Sequence, residues 1–420
     1  MTAPAALQIS YEDLYARWER GNWSAMAIDF SRDREDWAAL SDFERRAAMW
    51  NYSLFFVGED AVATDLAPFI EAAPREEQKY FLATQQVDEA RHSVFFKRFM
   101  HEVAGVDGQS TRATLDAVRP QLTWGFRETF AMLDRITGVL RKDRSAPALA
   151  RAVTMYHFIV EATLAQPGQH FITDYLERRD ILPGFREGMK QVANDEQRHI
   201  AFGVKLLHDL AQADPRVPDA VADLLRESLP KTISLFWPPG GDRRYTEVFG
   251  ATLEDIYEEG ARSLESKLKA AGLPLDSLPG PQLLPLDLSP RERAERGIAL
   301  VSHGFMGGGE IPPSKDPEAM EILFDMVRRA VDERHTPERP LTLQWDFQDA
   351  QPWHLRIDNG STAAAPGRAE AADVTFRCRY RDWVDVMGGR ADPRALLLRG
   401  RLRPKGSLRT LAQVPRLFPR

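Results

Sequence analysis

Two pentapeptides, Asp88-Glu89-Ala90-Arg91-His92 and Asp195-Glu196-Gln197-Arg198-His199, share the pattern D-E-x-R-H. In a helix, a glutamate and a histidine three residues apart project from one face. Each pair can grip one ion, the carboxylate by oxygen and the imidazole by nitrogen. A four-helix carboxylate site needs two further glutamates from the other two helices. Glu59 lies 30 residues before Glu89, inside SLFFVGEDAVA, and Glu161 lies 35 residues before Glu196, inside MYHFIVEATLA. Those gaps fit one helix, a turn and the return to the same depth in an antiparallel neighbour, at about 1.5 Å of rise per residue.

A single E-x-x-H is common on solvated helix faces. Two copies, each preceded by a glutamate embedded in apolar sequence, favour metal, because an unpaired carboxylate buried among Phe, Leu and Val is costly. Two divalent ions offset four carboxylates. The expected ligands are Glu59, Glu89, His92, Glu161, Glu196 and His199. Oxygen-rich ligation with two imidazoles and no thiolate suits iron or manganese. Structural zinc prefers four-coordinate Cys and His sites, and magnesium is a poor match for histidine. Such a redox pair points to dioxygen activation.

The elements that must carry these residues read as helices from the N-terminus to about 270. Ser41 and Glu44 form a capping-box signature before a long apolar-periodic stretch. Pro74 opens a helix running toward Gly105, and further helical patterns cover about 125–141, 147–165, 184–211, 217–236 and 251–271. Five prolines from Gly272 through Pro290 mark a connection, a short helix follows Pro290, and Gly307 to Pro313 mark a second break. Beyond it, Asp316-Pro317 starts a helix with Met320, Leu323, Val327 and Val331 on one face. Period-two alternation then appears at Leu341–Phe347, Trp353–Ile357 and Val374–Tyr380, with a turn at Asp358-Asn359-Gly360. Helical segments return near 381–388, 392–399 and 407–418. The expected division is 1–288, a linker over 289–314, and an α+β module over 315–420.

The chain has 420 residues, 43% apolar and 28% charged, and one cysteine, Cys378. This excludes pervasive disorder and a disulfide scaffold. The N-terminal residues show neither a basic n-region nor an apolar h-region, and no apolar run is long enough to span a bilayer, so a cytoplasmic protein is expected. Net charge is −7, yet Arg377 to Arg420 holds 12 basic and 3 acidic residues. That asymmetry suggests modules with different surfaces.

Residues 20–210 resemble the small subunit of class I ribonucleotide reductase and its relatives in the ferritin-like superfamily. The six ligands and the segment Trp23 to Trp37 carry the resemblance. It implies a mainly α, ferritin-like helical bundle with a dimetal-carboxylate site, and an electron relay through Trp23 and Asp195. On residue grounds alone, Trp23 is equally a packed core residue and Asp195 a carboxylate orienting a ligand histidine. Two features depart from the reductase: Phe96 stands where a radical tyrosine is usual, four residues after His92, and a folded module replaces the flexible C-terminal tail.

The closer resemblance is to the R2-like ligand-binding oxidases, through Gly58-Glu59-Asp60-Ala61-Val62 and Tyr156, five residues before Glu161. It implies an ether cross-link between Val62 and Tyr156, a bound long-chain fatty acid, and a homodimer. It also implies a manganese–iron pair, or two irons, with O2 as oxidant. Manganese would lie on Glu59, Glu89 and His92, iron on Glu161, Glu196 and His199. On residue grounds alone, ordinary packing is the favoured account of a core valine and tyrosine. His157 is read as a satisfied core histidine.

The tail from about 315 resembles an SCP2-like sterol and lipid carrier domain. The supporting residues are Leu341 to Phe347, Pro352 to Gly360, Asp373 to Trp383, Asp392-Pro393, and Gly400-Arg401-Leu402 followed by Gly406. The resemblance implies an apolar tunnel for acyl chains or sterols, although the same faces could close into a filled core. The basic balance of this end is a solvated face or a weak contact with an acidic membrane surface.

The sequence therefore predicts a dioxygen-activating dimetal oxidase that acts on or binds a lipid, served by an unidentified electron donor and with no nucleic-acid partner. A reductase small subunit, a related dimetal hydroxylase or N-oxygenase, and a lipid carrier with a structural metal site are the competing readings.

Overall fold

The computed structural model describes residues 5–281 and 284–418. The limits 1 and 420 of the expected division, and residues 282–283 of the proline-rich connection, lie outside the described residues. The chain forms two compact units, Met1–Leu224 with Pro238–Ser277, and Leu225–Trp237 with Leu278–Arg420.

The first unit is helical. Its principal elements are α1 (Tyr11–Arg20), α2 (Asp42–Asp65), α3 (Glu76–Glu102), a π-helix (Thr154–Ala165) and α4 (Pro183–Ala213). The capping box at the start of α2 forms as the sequence predicts: Glu44 N–H donates to Ser41 Oγ at 3.2 Å, and Ser41 N–H to Glu44 Oε2 at 2.8 Å. The first turn of α4 is capped from a neighbouring helix. Asp33 accepts from the N–H groups of Gly184 and Phe185 at 2.9 and 2.7 Å, and Asp36 from that of Leu182 at 2.8 Å. Carboxylates there satisfy otherwise orphaned donors and complement the helix dipole.

A single helical pattern is expected over 147–165. The structure instead gives an α-helix, Ala146–Val153, that widens into the π-helix. Gln166 N–H bonds to Glu161 O, five residues back. Pro167 has no N–H with which to continue an α-ladder. Hydrogen bonding from i to i+5 aligns residues five apart, so Tyr156 and Glu161 share a face that a regular α-helix would not give them.

The second unit is α+β. Its strands β1 (Leu341–Phe347), β2 (Trp353–Asp358), β3 (Ser361–Pro366), β4 (Val374–Cys378) and β5 (Arg403–Gly406) form one sheet in the order β3-β2-β1-β4-β5. Only β1 and β4 are parallel; Leu343 pairs with Leu355 on one side and Val374 on the other. Asn359 and Gly360 both take positive φ in the β2–β3 turn, as Asp-Asn-Gly favours. Strands β3 and β5 were not expected: STAAAP lacks alternating large apolar residues, and RPKG is mostly exposed. Tyr380 does not extend β4. It starts the helix Tyr380–Met387.

Helix Pro317–Arg329 presents Met320, Leu323, Phe324 and Val327 to the core of this unit, which also takes in Leu300, Val301 and Phe305 from Pro290–Ser302 and the turn after it. Ile233 and Trp237 pack on the same core, which explains why residues 225–237 join this unit. Among the described residues, no helix is long and apolar enough to cross a membrane.

Candidate metal centre

Helix α3 sets Gln85, Glu89, His92 and Phe96 along one buried face, at i, i+4, i+7 and i+11. Helix α4 presents Asp195, Glu196 and His199, α2 presents Glu59, and the π-helix presents Glu161. All six expected ligands are buried, and they converge as two overlapping quartets. Glu59, Glu89, His92 and Glu196 form one; Glu89, Glu161, Glu196 and His199 form the other, with the candidate donor atoms of each within 4.8 Å of one another. Glu89 and Glu196 belong to both quartets, the position a carboxylate shared by two ions would take. The sequence assigned each to a single ion, because spacing along one helix does not show which neighbour a carboxylate shares.

The two imidazoles aim their Nδ1 atoms inward. His92 Nδ1 lies 3.2 Å from Glu59 Oε2 and 3.4 Å from Glu89 Oε2. His199 Nδ1 lies 3.1 Å from Glu89 Oε1 and 3.5 Å from Glu161 Oε1, without hydrogen-bond geometry. Their Nε2 atoms point the other way, at 3.0 Å to Asp195 and 3.1 Å to Asp88. An outer carboxylate that fixes the tautomer and orientation of a ligand histidine is the usual support of a metal site.

The electrostatics fit two cations. Burial, with Glu196 alongside, pushes the Glu161 carboxyl up to about 8, and burial raises Glu59 well above the usual carboxylate range. Burial alone would lower the imidazoles of His92 and His199, but the surrounding carboxylates hold both well above the ordinary value. Glu161 Oε2, Glu196 Oε2 and His199 Nδ1 are buried without a hydrogen-bond partner. Such orphaned groups are costly unless something coordinates them. A pair of divalent ions would neutralise the four carboxylates and displace the protons from the imidazoles.

Around the quartets, Tyr156 Oη donates to Glu89 Oε1 at 2.6 Å. Val62 is buried on α2, one turn after Glu59. Trp23 Nε1 donates to Asp195 Oδ2 at 2.8 Å, and the same oxygen faces His92. Burial opposes ionisation of Asp195, but its bonds with His92, Arg198 and Trp23 hold it well below the usual range. Phe96 is buried against Phe55 with nearly parallel rings, 5.9 Å between centroids. His157 is buried, donates to Gln85 Oε1 at 3.2 Å, and is pushed down to about 3 by burial.

Sequence reasoning missed Gln85. Its Nε2 donates to Tyr156 Oη at 3.1 Å and to Glu161 Oε1 at 2.9 Å, so one amide ties α3 to the π-helix at two points. The available signal was its position one turn before Glu89. The sequence reading gives Arg91 and Arg198, common to both motifs, no role. Each pairs with both Asp88 and Asp195 and neutralises the carboxylates behind the histidines.

Four helical segments, two carboxylates common to both quartets and two inward imidazoles define a dimetal-carboxylate oxidoreductase. Residues 7–231 match the family model of the ribonucleotide reductase small chain, and the chain belongs to that family. Residues 339–419 match the SCP-2 sterol transfer family. Among solved structures, a variant of R2-like ligand-binding oxidase with anaerobically reconstituted Mn/Fe cofactor is similar at 26% identity and a TM-score of 0.54, over 63% of this chain and 94% of its own. A second such variant reaches 27% identity and 0.55, over 63% and 93%. A third, aerobically reconstituted with Mn/Fe, shows 25% identity and 0.53, over 64% and 94%.

Proposed function

We propose that the chain is a dioxygen-activating Mn/Fe oxidase of the R2-like ligand-binding type that acts on or binds a lipid. The observation that carries this reading is the pair of overlapping quartets with the Tyr156 hydroxyl bonded to a glutamate common to both. Glu59 and His92 would hold one ion and Glu161 and His199 the other, with Glu89 and Glu196 within reach of both. The metal pair supplies redox chemistry with O2. The protein's own part is to bury the site, fix both imidazoles through Asp195 and Asp88, and hold the Tyr156 hydroxyl against Glu89. Trp23 and Asp195 serve as the electron relay to His92, fed by a donor of unknown identity. Tyr156 and Val62 lose two hydrogens in total when an ether bond joins them.

The first unit carries the oxidase portion and the second the lipid module, whose core takes in Leu300, Val301 and Phe305 from the expected linker 289–314. Two buried donors in the second unit, Trp353 Nε1 and Tyr380 Oη, lack an acceptor. Both belong to an aromatic cluster around Phe324, Phe347 and Trp383. A lipid oxygen would satisfy them, which supports a carrier role for this module. Leu398 and Leu408 are 90% and 87% exposed beside Arg394, Arg399, Arg403, Lys405 and Arg409, a composition suited to a weak contact with an acidic membrane.

A homodimer fits the outer face of α3, where Tyr80, Ala83, Val87, Ala90 and Val94 are all exposed at alternating spacings of three and four. The decisive experiment is peptide mass spectrometry of the Mn(II)/Fe(II)-loaded protein after exposure to air. A covalent adduct of the Val62 and Tyr156 peptides, two hydrogens short of their sum, is expected. Unmodified peptides from a fully loaded and oxidised sample would remove the oxidase assignment.

A further inference from the structure

The two D-E-x-R-H motifs place more than ligands. Asp88 and Asp195 each sit one residue before a glutamate common to both quartets, and each supports the histidine of the opposite motif. Asp195 accepts from Trp23 Nε1 and faces His92 Nε2. Asp88 accepts from Trp18 Nε1 at 2.8 Å and faces His199 Nε2 at 3.1 Å. Each ligand histidine is therefore joined through one carboxylate to one indole. Both indoles are half-buried.

The two branches differ on their outer side. The Arg91 guanidinium lies over the Trp23 ring, 5.1 Å from its centroid. A cation beside an aromatic ring opposes loss of an electron from it. Among the described residues, no cation lies over the Trp18 ring. Its outer neighbour is Tyr15, on the same helix and half-buried, with 5.9 Å between ring centroids. The Trp18 branch thus joins an inner carboxylate, itself paired with Arg91 and Arg198, to a second oxidisable ring further out.

We propose that Trp18, held by Asp88 and followed by Tyr15, is a one-electron conduit between the His199 side of the metal centre and the protein surface, separate from Trp23. The proposal rests on the reading of the site as a dioxygen-reactive metal pair. The Trp18 indole gives one electron to the oxygen-oxidised metal pair. Its Nε1 proton stays in the bond to Asp88. Tyr15 returns one electron to Trp18 and releases its phenolic proton to water. A one-electron reductant of the ascorbate class then restores Tyr15. Without one, dissolved O2 adds to the ring radicals and supplies both the oxygen atom and the remaining oxidising equivalents. Trp18 and Tyr15 are positioning and electron-transfer residues, and neither touches the ions.

The test uses the full-length protein loaded with Mn(II) and Fe(II) and cycled in air, with and without ascorbate. Trypsin cuts after Arg17 and Arg20, so Tyr15, Trp18 and Trp23 fall on separate peptides. Without ascorbate, oxygen gain at Tyr15 and Trp18 should exceed that at Trp23 and in a metal-free control, and ascorbate should suppress it. Freeze-quenched samples should show an organic-radical EPR signal. Trp18→Phe should keep two metals per chain, lose that signal and cut oxygen gain at Tyr15 at least fivefold. Trp18→Tyr should restore part of it, which a merely structural role does not predict. Oxygen gain at Tyr15 that is unchanged in Trp18→Phe overturns the proposal. If oxygen is consumed and the Val62–Tyr156 adduct forms while Trp18 and Tyr15 stay intact, the conduit alone is refuted. If no oxygen is consumed, the reading of the metal centre falls with it.

Discussion

The closest test of the packing that assembles the site is Gly203→Ala. Gly203 lies on α4, one turn after His199, and a Cβ there would stand 2.3 Å from His157 Cβ on the π-helix. Ordinary carbon contacts are about 3.5–4.0 Å, so the two segments must separate by more than an ångström. The atom met is a Cβ, fixed to the backbone, so no flexible side chain can swing away. Overpacking of this kind costs about 1–3 kcal/mol, against a gain of up to about 1 kcal/mol from replacing glycine by alanine in a helix. The net expectation is about 1–2 kcal/mol of destabilisation, or a fall of about 2–8 °C in the melting temperature of the helical unit.

Gly138, on helix Trp124–Leu140, is the matched control. Its Cβ would meet nothing within 4 Å. Gly138→Ala should therefore stabilise by about 0.5–1 kcal/mol through the unfolded chain. Calorimetry of both variants as apoproteins removes metal affinity from the comparison. Metal analysis after loading then reports whether Glu161 still reaches the centre. A Gly203→Ala protein that melts with or above the parent, and retains both metals, would refute the claim that this contact sets the separation of the two segments.

Gln85→Leu should leave the ligand set intact but free the Tyr156 hydroxyl, so peptide mass spectrometry should show a several-fold lower yield of the Val62 adduct; an unchanged yield would remove Gln85 as the positioning group. Tyr380→Phe deletes an orphaned buried hydroxyl, so the apo module should be unchanged or up to about 1 kcal/mol more stable. The same variant should bind a long-chain alcohol about fivefold more weakly with no change for a hydrocarbon, as read by tryptophan quenching. Asp332 accepts from the backbone and side chain of Arg334 and from His335, and it is held down to about 2, chiefly by Arg334. Its contribution is present above the unfolded value of about 3.9 and lost as pH falls toward 2. The stability gap between the parent and Asp332→Asn should therefore close over that range in acid-unfolding titrations. Val94→Glu places a charge on the exposed seam of α3, and sedimentation should show a shift from dimer toward monomer; an unaltered dimer would move the interface elsewhere.

Much of the site was legible because its residues carry two signals at once. Glu59 and Glu161 are charged residues in apolar runs, and the histidines repeat at i+3 within a duplicated motif. The long helices were readable from caps and periodicity, as at Ser41 and Glu44. The π-helix was not, because its apolar composition fits either winding, although the five-residue gap from Tyr156 to Glu161 carried a trace of it. Gln85 and Trp18 were hidden for another reason. Their roles depend on partners about 70 residues away, Tyr156 and Asp88, and no local pattern reports such pairs. Strands β3 and β5 escaped for want of large apolar side chains, since their pairing is specified by the neighbouring strands.

Helix α3 is shared between two tasks. Its inner face supplies Gln85, Glu89 and His92, and its outer face is the bare apolar seam from Tyr80 to Val94. Any body that seats on the seam also braces the rod that carries the chemistry. A small rotation of that rod would reset bond lengths at both ions together, so assembly and reactivity should vary in concert across natural variants of this surface.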